Sequence, residues 1–184
     1  ARINHRGIPV DSKAAEQILR VTEAYKLEKN QLLPDLTGGE VTKATQVQRI
    51  AKWLKKQGVE ISNLQVDTVE KMLQQEDLPE KARTVLTLRQ DLGKSSTAKY
   101  QKIVDMTYNG RIHDNLRYYG ANTGRWAGMG FQLHNLPRSK VEDAEPILDK
   151  FYDESITKEN PVAAAKSIVR QMIYAPEGKM ICAA

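Results

Sequence analysis

At Asn109-Gly110 the sequence changes character, and that change limits the fold more than any other feature. Before it, apolar residues recur at spacings of three and four, the period that places them on one face of an α-helix. After it, glycine and asparagine gather, helical stripes become brief and short runs alternate. The expected fold class is therefore α+β, mostly α. A helical region is expected over residues 1–108, and a mixed region with a small antiparallel β element over 109–184.

The local signals divide the helical region further. Asp11 can accept a hydrogen bond from the free amides of a first turn. It opens a helix reaching about Leu33, with Ala14, Ile18, Val21 and Tyr25 in one stripe, broken by Pro34 and Gly38-Gly39. Thr45-Gln46-Val47-Gln48 has the pattern of a capping box. Val47, Ile50, Ala51 and Leu54 follow at helical spacing, and Gly58 closes the element. Asp67-Thr68-Val69-Glu70 offers a second capping box. Pro79 suits a first helical position, and the spacing predicts one long helix from there to about Met106, interrupted at Gly93. Beyond the change, residues 111–119 alternate as a strand, and 121–136 read as an ordered loop or short turns. Residues 144–155 and 161–171 read as helices. Residues 172–174 and 179–184 are expected to pair as a hairpin across Ala175-Pro176-Glu177-Gly178.

Composition narrows the function classes. Of 184 residues, 40% are hydrophobic and 28% are charged, which is globular rather than disordered. The formal net charge of +5 is a mild excess. Lys52, Lys55 and Lys56, then Lys94, Lys99 and Lys102, cluster on helical stretches; each run alone reads first as a solvated helix face. No apolar run approaches the roughly 20 residues that cross a bilayer, and no signal peptide opens the chain, so no membrane partner is expected. The single cysteine, Cys182, forms no internal disulfide, which fits a reducing, cytoplasmic setting. Both ends read as cut, with no methionine at the start and an apolar run at the finish.

The residues able to carry chemistry are few. There is no phosphate-binding Walker loop, no metal-spaced Cys/His set and no nucleophile elbow, and His5, His113 and His134 lie far apart. The informative segment runs from Tyr118 to Arg138. It joins small residues, which let a backbone approach closely, with amides and arginines that donate to base edges and phosphates. On composition alone it is equally a glycine-rich surface loop.

Within it, Thr123-Gly124-Arg125, then Gln132-Leu133-His134-Asn135-Leu136-Pro137, resembles the motif of family A DNA polymerases that precedes their first catalytic strand. In bacterial DNA polymerase I the motif reads T-G-R-L-S-S, then N-L-Q-N-I-P, and the two align without a gap. Tyr119-Gly120-Ala121-Asn122-Thr123-Gly124-Arg125-Trp126-Ala127-Gly128 is similar above all to the polymerases of bacteriophages and prophages. Flanking matches fall in the family's order. Gly110-Arg111-Ile112-His113 resembles its G-R-L-H strand, and Arg6-Gly7-Ile8-Pro9-Val10-Asp11 the G-x-x-V-D before the first thumb helix. Leu92-Gly93-Lys94-Ser95-Ser96-Thr97 resembles the L-x-K-S-T region of the long thumb helix. Residues 167–178 resemble R-x-x-F-I-A-P-x-G. Gln132 and His134 depart from the bacterial asparagine and glutamine, and Trp126 replaces a leucine. Residues 140–165 look like a phage-type insertion, whose acids make phosphate binding there unfavourable.

The resemblance implies a thumb over 1–108 and the first part of a palm over 109–184, stopping just before the first metal-binding aspartate. It implies contacts to primer–template DNA from Arg125, Gln132, His134, Asn135 and Thr123 in the minor groove. Lys94, Ser95, Ser96, Thr97 and Lys99 would contact phosphates. No catalytic or metal residue is implied, so the fragment alone is expected to be inactive and to hold no cofactor. The full-length parent would use Mg2+ and deoxynucleotides. Two other readings compete: a non-enzymatic helical module for nucleic-acid binding or protein interaction, and a single-subunit phage RNA polymerase. The first leaves the ordered matches unexplained, and the Thr-Gly-Arg and Asn-Leu-Pro elements speak against the second.

Overall fold

The computed structural model describes residues 2–93, 97–137 and 141–180. It is mostly helical with small antiparallel sheets, as the sequence implies. Two compact units make up the chain: Ala1–Thr22 with Ser95–Ala184, and Glu23–Lys94. These are cut differently from the expected division at residue 108. The reason is packing: Val10, Ala14, Ala15 and Ile18 bury their side chains with Tyr100, Ile103, Phe131 and Ile168 in one core.

The helices are α1 (Arg2–Arg6), α2 (Ser12–Thr37), α3 (Val47–Lys56), α4 (Val66–Leu73), α5 (Glu80–Leu92), α6 (Thr97–Met106), α7 (Glu145–Tyr152) and α8 (Pro161–Ile168). In the continuous unit, Ile50, Trp53 and Leu54 of α3 are buried with Leu33, Val69, Val85 and Leu86. Fully burying one such side chain is worth roughly 1.5–3 kcal/mol. Lys52, Lys55 and Lys56 fall on the exposed face, where Lys56 pairs with Glu40 at 2.8 Å, so this basic run is a solvated helix face. Gly58, at φ 78°, ends α3 as expected. Its amide bonds Lys55 O at 3.1 Å while Val59 N bonds Leu54 O at 2.9 Å, the paired closure that a left-handed residue permits.

Several local expectations are corrected. α2 passes Leu33 and Pro34 to end at Thr37, because Leu33 and Thr37 are buried and Gly38 is the first residue to turn left-handed. Neither capping box forms. Gln46 turns its side-chain oxygen back to Thr42 N and Lys43 N, at 3.0 and 3.2 Å, and α3 starts after it. α4 starts before Asp67, and Asn63 instead holds Gln65 N and the Thr68 hydroxyl. The interruption expected at Gly93 is present and divides the long helix in two: α5 ends at Leu92 with Gly93 as its cap, and α6 spans Thr97–Met106. Pro79 precedes the first helical position rather than filling it.

In the discontinuous unit Asp11 caps α2, its Oδ1 accepting from Ala14 N at 2.9 Å. Strands β1 (Ile8–Pro9), β2 (Thr107–Tyr108) and β3 (Arg111–Ile112) form a sheet in the order β1-β3-β2. Asn109 and Gly110 join β2 to β3, both at positive φ (49° and 71°), the turn whose twist suits a two-residue hairpin. The expected strand at 111–119 is instead β3 and β4 (Leu116–Arg117), parted by Asp114 at φ 52° and by buried Asn115, whose Nδ2 donates to Ile112 O. The hairpin at 172–184 is also corrected in its first arm. Met172 ends a 3-10 turn, and Ile173 pairs with Val10. Residues 181–184, including Cys182, lie outside the described residues. Among the described residues no helix is long and apolar enough to cross a membrane.

Candidate nucleic-acid interface

The segment singled out by the sequence is a second hairpin. β4 pairs with β5 (Ala127–Gly128) in the register Leu116↔Gly128 and Arg117↔Ala127. Residues 118–126 form its loop, closed by Ala121 N to Arg125 O at 3.2 Å and Gly124 N to Ala121 O at 2.9 Å. Glycine is required at two places here. Gly124 sits at φ 75° beneath the Tyr119 ring, and a Cβ on Gly120 would lie 2.6 Å from the Ala127 Cβ.

Distant residues brace this hairpin. Asn4 acts as a strand neighbour, its Nδ2 donating to Leu116 O at 2.6 Å and its Oδ1 accepting from Leu116 N at 3.1 Å. Met129 N donates to Asn115 O at 2.7 Å. The chain then buries Phe131 completely and turns at Gln132, φ 52°, into the 3-10 turn Leu133–Asn135. Arg170 donates to Leu136 O at 3.1 Å and fixes the far end.

The expected site residues fall into three groups. Gln132, His134 and Asn135 come together around the 3-10 turn. Asn135 Nδ2 donates to Gln132 Oε1 at 3.1 Å, and the His134 imidazole lies over Gly128, where a Cβ would sit 1.8 Å from its Cε1. Thr123 and Arg125 lie in the hairpin loop, both exposed, and among the described residues no carboxylate pairs with Arg125. Thr97 and Lys99 lie on the first turn of α6. Lys99 donates from Nζ to Phe131 O at 2.8 Å, over the Phe131 ring, so α6 is tied to the start of the 3-10 segment. Burial lowers the Lys99 pKa from its ordinary range, and the neighbouring charge of Lys102 lowers it further. Lys94, Ser95 and Ser96 lie outside the described residues.

Sequence reasoning missed the brace from Asn4, which carries no local signal because its partner is 112 residues away. It also missed an exposed cluster of rings in the same loop: Tyr118 lies 5.1 Å from Trp126, edge to face, and 6.3 Å from Tyr119. Between Asn115 and Pro137 the sequence has no aspartate or glutamate, and Arg117, Arg125 and His134 within it are exposed. Such a segment can donate hydrogen bonds and accept a polyanion. Among the described residues no group of three histidines, cysteines, aspartates or glutamates gathers as a metal site. No step of metal-dependent chemistry is assigned to them.

The chain is 32% identical over 145 residues to the DNA polymerase of Bacillus phage SP02, and the two sequences are related. The match takes in 78% of this chain and 22% of that protein, so the chain spans about a fifth of the length of the curated relative it matches. No protein-family model matches the chain. No solved structure matches it either.

Proposed function

We propose that this relative of a phage DNA polymerase is a duplex-holding part of a family A enzyme, in which residues 1–108 serve as thumb and 109–184 as the start of the palm. The observation that carries the reading is Arg125: exposed, without a carboxylate partner among the described residues, in a hairpin loop whose segment, 115–137, holds no aspartate or glutamate. A polymerase must hold duplexes of any sequence. It therefore contacts phosphates and the minor groove, where the four base pairs look most alike. Arg125 donates to minor-groove acceptors near the primer end, with Gln132, His134, Asn135 and Thr123 along the same groove. Thr97, Lys99 and the neighbouring Lys94, Ser95 and Ser96 meet phosphates. Lys99 already gives one proton to Phe131 O and has two left.

In this reading nucleotidyl transfer belongs to a longer parent, which supplies the carboxylates for Mg2+ and the surfaces for deoxynucleotides. The 184 residues have no polymerase activity of their own. The test is titration of this chain into a blunt, labelled DNA duplex, followed by fluorescence anisotropy. Binding should be weak and independent of sequence. It should fall steeply with salt, log K dropping by about 0.9 per phosphate contact for each tenfold rise in salt. Arg125→Ala should weaken it. Salt-insensitive binding, a strong preference for one sequence, or an Arg125→Ala variant that binds as wild type would each count against the reading.

A further inference from the structure

The ring cluster of the hairpin loop has no part in the duplex-holding reading. Tyr118 is 72% exposed, Tyr119 69% and Trp126 49%. Large rings grouped in water mark an interaction surface more often than a structural need. Their positions are set in advance. Tyr119 adopts a positive φ of 52°, unusual for a bulky residue, and its ring lies against Gly124, where a Cβ would come within 2.8 Å. Two backbone hydrogen bonds close the loop that carries them. A ligand meeting rings already in place has little ordering left to impose. Arg117 lies at the base of the loop, exposed, and no acid occurs between Asn115 and Pro137.

Flat apolar faces in a segment that carries exposed Arg117 and Arg125 and no acid match one ligand chemistry: bases with free faces on a chain of phosphates. We propose that Tyr118, Tyr119 and Trp126 form a stacking platform for unpaired bases of single-stranded DNA, with Arg117 taking an adjacent phosphate. This rests on the polymerase reading and extends it, because a duplex keeps its bases stacked on one another and offers no free face to a ring. Stacking tolerates any base, so the platform is expected to be indifferent to sequence.

The test uses labelled oligothymidylate and a blunt duplex with this chain. Trp53 is only 3% exposed, so a change in tryptophan emission reports Trp126. Oligothymidylate should quench that emission. Tyr118→Ala and Trp126→Ala should each weaken single-strand binding about tenfold. Tyr118→Phe keeps the ring and should bind as wild type, and all three variants should keep duplex affinity. Single-strand affinity unchanged in the alanine variants would overturn the proposal. So would equal losses for single strand and duplex, which would assign the rings to the hairpin's own stability. Duplex binding with no single-strand binding would remove this inference, leave the polymerase reading intact and point to a protein as the occupant of the rings. Binding to neither would remove both.

Discussion

Burial of the Tyr100 phenol sets an alkaline limit on the unit that contains it. Its hydroxyl donates to Ala165 O at 2.6 Å, and burial pushes its pKa well above the ordinary 10.0. The unfolded chain then loses this proton at a lower pH than the folded chain. The stability tied to the neutral phenol is complete below pH 10 and is lost as pH rises from there towards the folded value. Tyr100→Phe should lower stability near neutral pH by about 1 kcal/mol, since Ala165 O loses its donor. Its unfolding free energy should then fall less steeply above pH 10 than that of wild type, as chemical denaturation across an alkaline series would measure. Burial also raises Tyr25 and Tyr152, so some alkaline slope should survive. Parallel slopes in the two proteins would show that Tyr100 ionises freely.

Among the elements, the β4–β5 hairpin has the narrowest tolerance. A Cβ on Gly120 would lie 2.6 Å from the Ala127 Cβ, with no flexible side chain to yield. Gly120→Ala should therefore force the hairpin mouth apart and cost roughly 1–3 kcal/mol. Adding Ala127→Gly removes the opposing methyl group. The double variant should be more stable than the sum of the single changes by at least about 0.5 kcal/mol. Thermal unfolding of the four proteins measures this, and strict additivity would rule out the contact. The same elements show what could be read beforehand. The Asp11 cap, the Ile50 and Leu54 part of the α3 stripe and the Gly58 closure were legible because each signal spans a few residues, whereas Val47 of that stripe is exposed. Residues 111–119 read as one strand because their alternation is real, but Asp114 turns left-handed and Asn115 goes inward to hold Ile112 O. Alternation cannot record that. The grouping of Gln132, His134 and Asn135 followed from closeness in sequence. The exposure of the Tyr118 and Trp126 rings did not, because residue type alone places such rings inside as readily as outside.

At the scale of the whole molecule, the role of Arg125 is decided in the parent enzyme. If Arg125 reads the groove, Arg125→Ala should leave folding intact and slow extension of matched primers roughly 10- to 100-fold, at about 1.4 kcal/mol per factor of ten. The loss should be smaller from mismatched ends, where the acceptor is already displaced. A terminal base lacking its minor-groove acceptor should penalise wild type and spare the variant. Equal penalties would show that Arg125 does not touch that atom. The division of the chain has a consequence of another kind, in time rather than in space. Glu23–Lys94 is continuous, whereas its companion unit is interrupted between Thr22 and Ser95. A nascent chain therefore exposes Val10, Ala14 and Ile18 long before Tyr100, Phe131 and Ile168 exist to cover them. Joining the two pieces closes a loop of roughly 70 residues, about 4 kcal/mol of chain entropy if that loop is unstructured. Prior folding of Glu23–Lys94 holds most of that loop together in advance. Were Glu23–Lys94 to fold first, the two ends would meet across a shorter open loop, at a smaller entropic cost than in the unfolded chain.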